Sequence, residues 1–187
     1  EGALVTSRRT GDEIHIISRH APNIAGLVAY PQTEEEAANN EAILAEVSDE
    51  DVLPEIRIDG ELVSPLTFDG CYRVDPEHPL AVPAPGDSTI TTMLTVSASS
   101  GEILRSACTL EPVTGVYMGD TYVALTHVRW DLEEGGTVVH LLDRDSFDYI
   151  GSEKVEGDLY SGGNADFRIS ESSGALRLVT TQWTGDP

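Results

Sequence analysis

The chain has 187 residues, 40% of them hydrophobic and 24% charged, enough to bury the core of one or two domains. Eleven basic against 33 acidic side chains give a formal net charge of −22, so the surface repels nucleic-acid phosphates and anionic lipid, and nucleic acid is excluded as a natural partner. No apolar run approaches the ~20 residues of a membrane-spanning helix, and the acidic excess reads as solubility chemistry before it reads as an acid-binding role.

In chain order, Leu4 to Arg9 and Glu13 to Arg19 are β-forming runs joined by Thr10-Gly11-Asp12, which predicts a hairpin. Thr33 followed by Glu34-Glu35-Glu36 is a capping box opening a helix, whose apolar stripe is Ala37, Ala38, Ile43, Leu44 and Val47. Ser48 with Asp51 repeats the pattern for a short second helix ending before Pro54. Glu55 to Ile58 and Glu61 to Val63, hinged at Asp59-Gly60, predict a small hairpin. Pro65, Pro76, Pro79, Pro83 and Pro85 then make an irregular, semi-rigid return.

Thr89 to Ala98 and Glu102 to Leu110 read as a second pair of strands joined by Ser99-Ser100-Gly101. Gly115 to Trp130 is a further hairpin hinged at Gly119-Asp120. Thr137 to Leu142 and Phe147 to Val155 follow as strands, and Phe167 to Ser170 with Ala175 to Thr181 form a last hairpin around Ser172-Ser173-Gly174.

The second strands of three hairpins align, Ile14-His15-Ile16-Ile17 against Tyr122-Val123-Ala124-Leu125 and Leu176-Arg177-Leu178-Val179, each run followed by a hydroxyl residue: Ser18, Thr126 or Thr180. Tyr122 to Leu176 spans 54 positions and Ile14 to Tyr122 spans 108, twice as many. The longer interval is therefore one repeat interrupted by an insertion of roughly sixty residues, and four strands per ~50 residues is the period of a propeller blade. The predicted fold is mainly β: about two and a half antiparallel four-stranded propeller-like blades with a small helical insertion. Residues 1–20 form a partial blade, 21–87 the insertion, 88–110 the completion of the first blade, 111–157 the second blade and 158–187 a partial third. Propellers close with about four to eight blades, so the chain is expected to be a piece of a longer one, and its open blade faces are expected to drive self-association.

Candidate chemistry is sparse. Cys71 and Cys108 lack CxxC or His-flanked metal spacing; a disulfide pinning the insertion to the blade it interrupts is the preferred reading, and two free buried thiols the alternative. Neither GxSxG nor HExxH is present, and His15, His20, His78, His127 and His140 share no metal-ligand spacing. His127 ends the second strand of its hairpin, where Arg19 and Thr181 stand in the other two; blade-end residues line propeller binding faces, so Arg19, His127 and Arg129 are the candidate ligand contacts, with a local loop hydrogen bond as the competing role for His127. Asp143-Arg144-Asp145-Ser146-Phe147-Asp148 departs from the EF-hand pattern at its fifth and sixth positions, which favours a β-turn, with calcium as the minor alternative; no other cofactor is expected. Ser161-Gly162-Gly163-Asn164 has no Lys and no following helix and is not a phosphate loop.

Taken together, SRRTGDEIHIISRHAPNIAGLVAYP, DEDVLPEIRIDG, TITTMLTVSASSGEI, GVYMGDTYVALTHVRWD and FRISESSGALRLVTT resemble the bacterial secreted proteins that carry a C-terminal β-propeller domain of unassigned function. The resemblance implies a propeller fold and a location outside the cytoplasm, whether secreted, periplasmic or lipid-anchored, and transfers no catalytic residue. The expected function is a non-catalytic extracytoplasmic binding or scaffold module for a protein or carbohydrate partner. The alternative is a fragment of a propeller enzyme whose site combines Arg19, His127 and Arg129 with further blades.

Overall fold

A computed structural model describes residues 2–81, 89–130, 135–159 and 167–182 of the chain. The first hairpin pairs β1 (Ala3–Thr10) with β2 (Glu13–His20) in antiparallel register, Thr10 opposite Glu13. The insertion opens with α1 (Glu34–Glu46), whose capping box is complete: the Thr33 hydroxyl accepts from the Glu36 amide at 3.1 Å, and the Glu36 carboxylate accepts from the Thr33 amide at 3.2 Å. None of its residues is buried, so the Ala37 to Leu44 stripe is not a core face, and local capping holds the helix where packing does not. After α2 (Asp49–Val52) come β3 (Ile56–Ile58) and β4 (Glu61–Val63), turned by Asp59 and Gly60, both at positive φ as a two-residue hairpin turn requires.

The insertion returns through a 3₁₀ turn at Phe68–Gly70 into β5 (Cys71–Tyr72), then β6 (Ile90–Ser97) and β7 (Ile103–Thr109) complete the first sheet in the order β1-β2-β6-β7-β5. β5 is the one parallel member, with Cys71 directly opposite Cys108. Their Cα atoms are 4.3 Å apart and a disulfide joins them, so the insertion is fastened to the outer strand of the sheet it interrupts.

β8 (Gly115–Met118), β9 (Tyr122–Arg129), β10 (Gly136–Asp143) and β11 (Tyr149–Val155) form a second, wholly antiparallel meander in the order β11-β10-β9-β8. The two sheets face each other. Ile17, Met93 and Ala107, cross-strand neighbours on the first, pack against Val116, Met118, Val123, Leu125 and Leu142 of the second. Each of the larger side chains withdrawn from water contributes about 1.5 to 3 kcal/mol, and Ala107 less, which makes this seam a main source of stability. Phe147, 1% exposed, plugs it from the β10–β11 turn and holds a positive φ of 63° to do so; its amide donates to the Asp143 carbonyl at 2.9 Å.

A third hairpin, β12 (Ile169–Ser172) and β13 (Ala175–Leu178), turns at Ser173 and Gly174. Its first strand lies two residues later than the sequence expectation of Phe167 to Ser170, because a two-residue turn with both positions at positive φ closes the register at Ser172↔Ala175. The hairpin docks on the β8–β9 turn. The Glu171 carboxylate accepts from the Thr121 amide at 3.1 Å, and Gly119 lies beneath that carboxylate where a Cβ would collide with it. A side chain at position 119 would displace the Glu171 carboxylate from this place.

Candidate binding cleft

Two of the three residues singled out in the sequence, Arg19 and Arg129, are placed at joints between elements, whereas His127 lies within β9. Arg19 reaches from the first sheet to donate to the carbonyl of Val113, in the connection to β8, and Arg8 donates to the carbonyl of Met118. Arg129, 4% exposed, donates to the Leu80 carbonyl at 3.1 Å and so holds the insertion's return against the end of β9. His127 shares a face of β9 with Arg129 and stands opposite Val138 of β10. Arg19 belongs to a different sheet. Each guanidinium thus serves at least one carbonyl at a sheet boundary, a clamping arrangement that fills charge-assisted hydrogen bonds.

Neighbouring His140 is 6% exposed, and burial, assisted by the nearby His127, pushes its imidazole down to about 4. In the β10–β11 turn the Asp143 carboxylate accepts from the amides of Asp145 and Ser146 at 2.8 and 2.9 Å, which pulls it below the usual carboxylate range. Among the described residues no group of three or more His, Cys, Asp or Glu side chains is arranged to hold a metal ion.

A concavity of about 490 Å³ lies elsewhere, between the outer face of the first sheet and the insertion. Ile16 and Leu94, from β2 and β6, meet Leu53, Ile56 and Leu62 from the insertion as its apolar walls. Its polar groups are of two kinds. Glu50, Asp51 and Glu55 form an acidic rim, and Ser18, His20, Asn23 and Thr92 stand on or beside the sheet. Thr92 is 2% exposed and its hydroxyl has no hydrogen-bond partner among the described residues. Burial holds the His20 imidazole below its ordinary value, and so neutral near pH 7. Asp51 is held low by the Ser48 amide and hydroxyl, at 2.9 and 2.7 Å, and keeps its negative charge. No hydrogen bond among the described residues joins Ser18 to His20, or His20 to a carboxylate.

A five-stranded sheet, antiparallel but for β5, packs face to face on a four-stranded antiparallel meander, and residues 1–187 match the Beta propeller domain family over their whole extent. The chain belongs to that family. Comparison with curated proteins and with solved structures returns no match. In this propeller domain the cleft is formed by an element outside the blade repeat, the insertion between β2 and β6, packed on the first blade's outer face.

Sequence reasoning missed the cleft residues. The Ser48-Asp51 cap and Pro54 located the turn that carries Glu50 and Glu55, and the two-residue period of β6 sets Thr92 on the face shared with Ile90 and Leu94, which the sequence reading did not single out. Nothing local in either segment says that they meet. In the propeller domain no helix among the described residues is long and apolar enough to cross a membrane.

Proposed function

We propose that this propeller domain is a non-catalytic extracytoplasmic binding or scaffold module whose ligand contacts lie in the cleft between the first blade and the insertion. The observation that carries the reading is the cleft itself: a concavity of about 490 Å³ with apolar walls and a few polar groups, the usual make-up of a binding site. The buried Cys71–Cys108 disulfide supports a location outside the reducing cytoplasm. Arg19 and Arg129 donate to the carbonyls of Val113 and Leu80, which favours a structural role for them over direct ligand contact. A protein or carbohydrate partner is the natural occupant class for such a module, and neither calcium nor another cofactor enters the reading.

Two measurements test it. Thiol trapping in intact cells of the native host, combined with protease digestion of unlysed cells, should find the cysteines oxidised and the chain cleavable from outside; a reduced pair in a protected fraction overturns the location. A panel of hydrolase and oxidoreductase substrates should give no turnover on the full-length protein. Turnover lost on His127→Ala or Arg129→Lys would establish the enzyme alternative instead.

A further inference from the structure

We infer that the cleft is a site for an organic cation, a primary ammonium or guanidinium borne on an apolar stem. The inference rests on the proposed binding function and supplies the ligand's chemical class.

Every formally charged side chain lining the cleft is acidic: Glu50, Asp51 and Glu55, with no Lys or Arg among them. Asp51 spends its carboxylate on Ser48, whereas Glu50 and Glu55 have no hydrogen-bond or ion-pair partner among the described residues. Like charges brought to one rim repel, and a positive group placed between them relieves that repulsion as well as gaining its own attraction. A chain of −22 adds a long-range field of the same sign, which concentrates cations at the cleft mouth and repels anions from it.

Below the rim the chemistry changes. Ile16, Leu94 and Leu62 suit a methylene stem, which is withdrawn from water there without meeting a charge. At the sheet stands the unpartnered hydroxyl of Thr92, a buried group whose lone pairs lack a donor. An ammonium or guanidinium has only donors to offer, which the carboxylates require and which the hydroxyl, donor and acceptor alike, can accept. A divalent metal fits less well, since it needs several oxygens converging on one point and no such group of three occurs among the described residues.

Free diamines and the basic side chains of a peptide share this chemistry, and the test separates them. Cadaverine and a capped lysine peptide are titrated into the isotope-labelled chain, beside neutral counterparts of equal stem length, pentan-1-ol and the same peptide with norleucine. Amide shifts are followed at low and high salt. The cationic probes should shift residues of β2, β6 and the α2–β3 segment and bind about tenfold more tightly than the neutral ones, with the advantage shrinking at high salt. A tighter peptide than diamine assigns the source to a basic side chain, and the reverse assigns it to a free amine.

Glu50→Gln with Glu55→Gln should weaken the cationic probes about threefold to tenfold and leave the neutral ones unchanged. Both positions are exposed, so the fold is expected to survive. Thr92→Val, of the same shape, should also weaken cationic binding while leaving the unfolding midpoint equal or higher, because an unpartnered buried hydroxyl is removed. Equal affinity for neutral and cationic probes, or indifference to the double substitution, overturns the cation assignment and keeps the binding reading. Failure of every cationic probe to shift cleft residues at millimolar concentration overturns the assignment outright. Turnover of a substrate at the cleft would instead remove the binding-module reading beneath it.

Discussion

Nδ1 of His140 and the hydroxyl of Ser152 lie 2.5 Å apart on β10 and β11, at positions directly opposite each other in the register. A buried imidazole satisfied in this way is held neutral, and its value of about 4 lies well below the ordinary 6.5. The unfolded chain therefore binds a proton that the folded chain refuses. Stability from this group is complete above about pH 6.5 and is lost as pH falls toward about 4, a change on the order of 3 kcal/mol. His15, 1% exposed and also lowered by burial, acts in the same direction. Glu171, Asp143 and Asp12, all lowered by hydrogen bonds, lose their contributions only below the usual carboxylate range, outside this window. Urea unfolding of the wild type and His140→Asn across that range should show the gap between them narrowing as pH falls; a gap independent of pH would refute the assignment.

The disulfide closes a sequence separation of 37 residues, and a loop of that size limits the unfolded chain by about 2 to 4 kcal/mol. Cys71→Ala with Cys108→Ala should lower stability by that amount. Its local effect should appear at Tyr72, whose ring stacks on Tyr149 of the second blade with centroids 5.9 Å apart. Thiol labelling of unfolded, unreduced protein should find no reactive cysteine, and two labelled thiols would reject the bond.

Gly119→Ala is expected to free the third hairpin. The new Cβ would meet the Glu171 carboxylate and approach the Tyr117 ring at 3.0 Å, which breaks the bond from the Thr121 amide. Glu171→Ala removes the same anchor from the other side and should cost about 1 kcal/mol, reduced by solvent screening. Hydrogen exchange decides the point: both variants should lose amide protection in β12 and β13 and keep it in β9 and β10.

An open apolar groove of about 420 Å³ runs between β10–β11 and β13, lined by Val139, Leu141, Ile150, Leu176 and Leu178, with Ile150 52% exposed. Burial against a second copy is expected, opposed by the net charge and therefore favoured by salt. Sedimentation from micromolar to submillimolar concentration should reveal association that strengthens with salt and weakens in Ile150→Glu. A monomer throughout, at low and high salt, would mean that the groove is not an interface between copies.

Hairpins were legible in the sequence because their causes are local. Asp59-Gly60 and Ser173-Gly174 impose their turns within two residues, β-branched and aromatic runs supply the strands, and Thr33 with Glu36 starts a helix without outside help. Spacing of the repeats then yielded a mainly β chain of four-stranded units, since each unit must bury its faces on the next. The sequence also offered Cys71 and Cys108 as a pair, but their parallel, directly opposed placement depends on where the insertion returns.

What surrounds a side chain was left to the tertiary structure. Arg19 and Arg129 stand at strand ends whether they touch a ligand or a carbonyl, and only the packing of blade on blade and return on blade brings Val113 and Leu80 to them. Glu171 looks like one more acidic residue until the third hairpin carries it to Gly119 and Thr121. Glu55 and Thr92 line one cleft because the insertion folds back over β6. Alternation along a strand records which side chains avoid water, but the burial that produces it is non-directional and carries no label for the segment that does the covering.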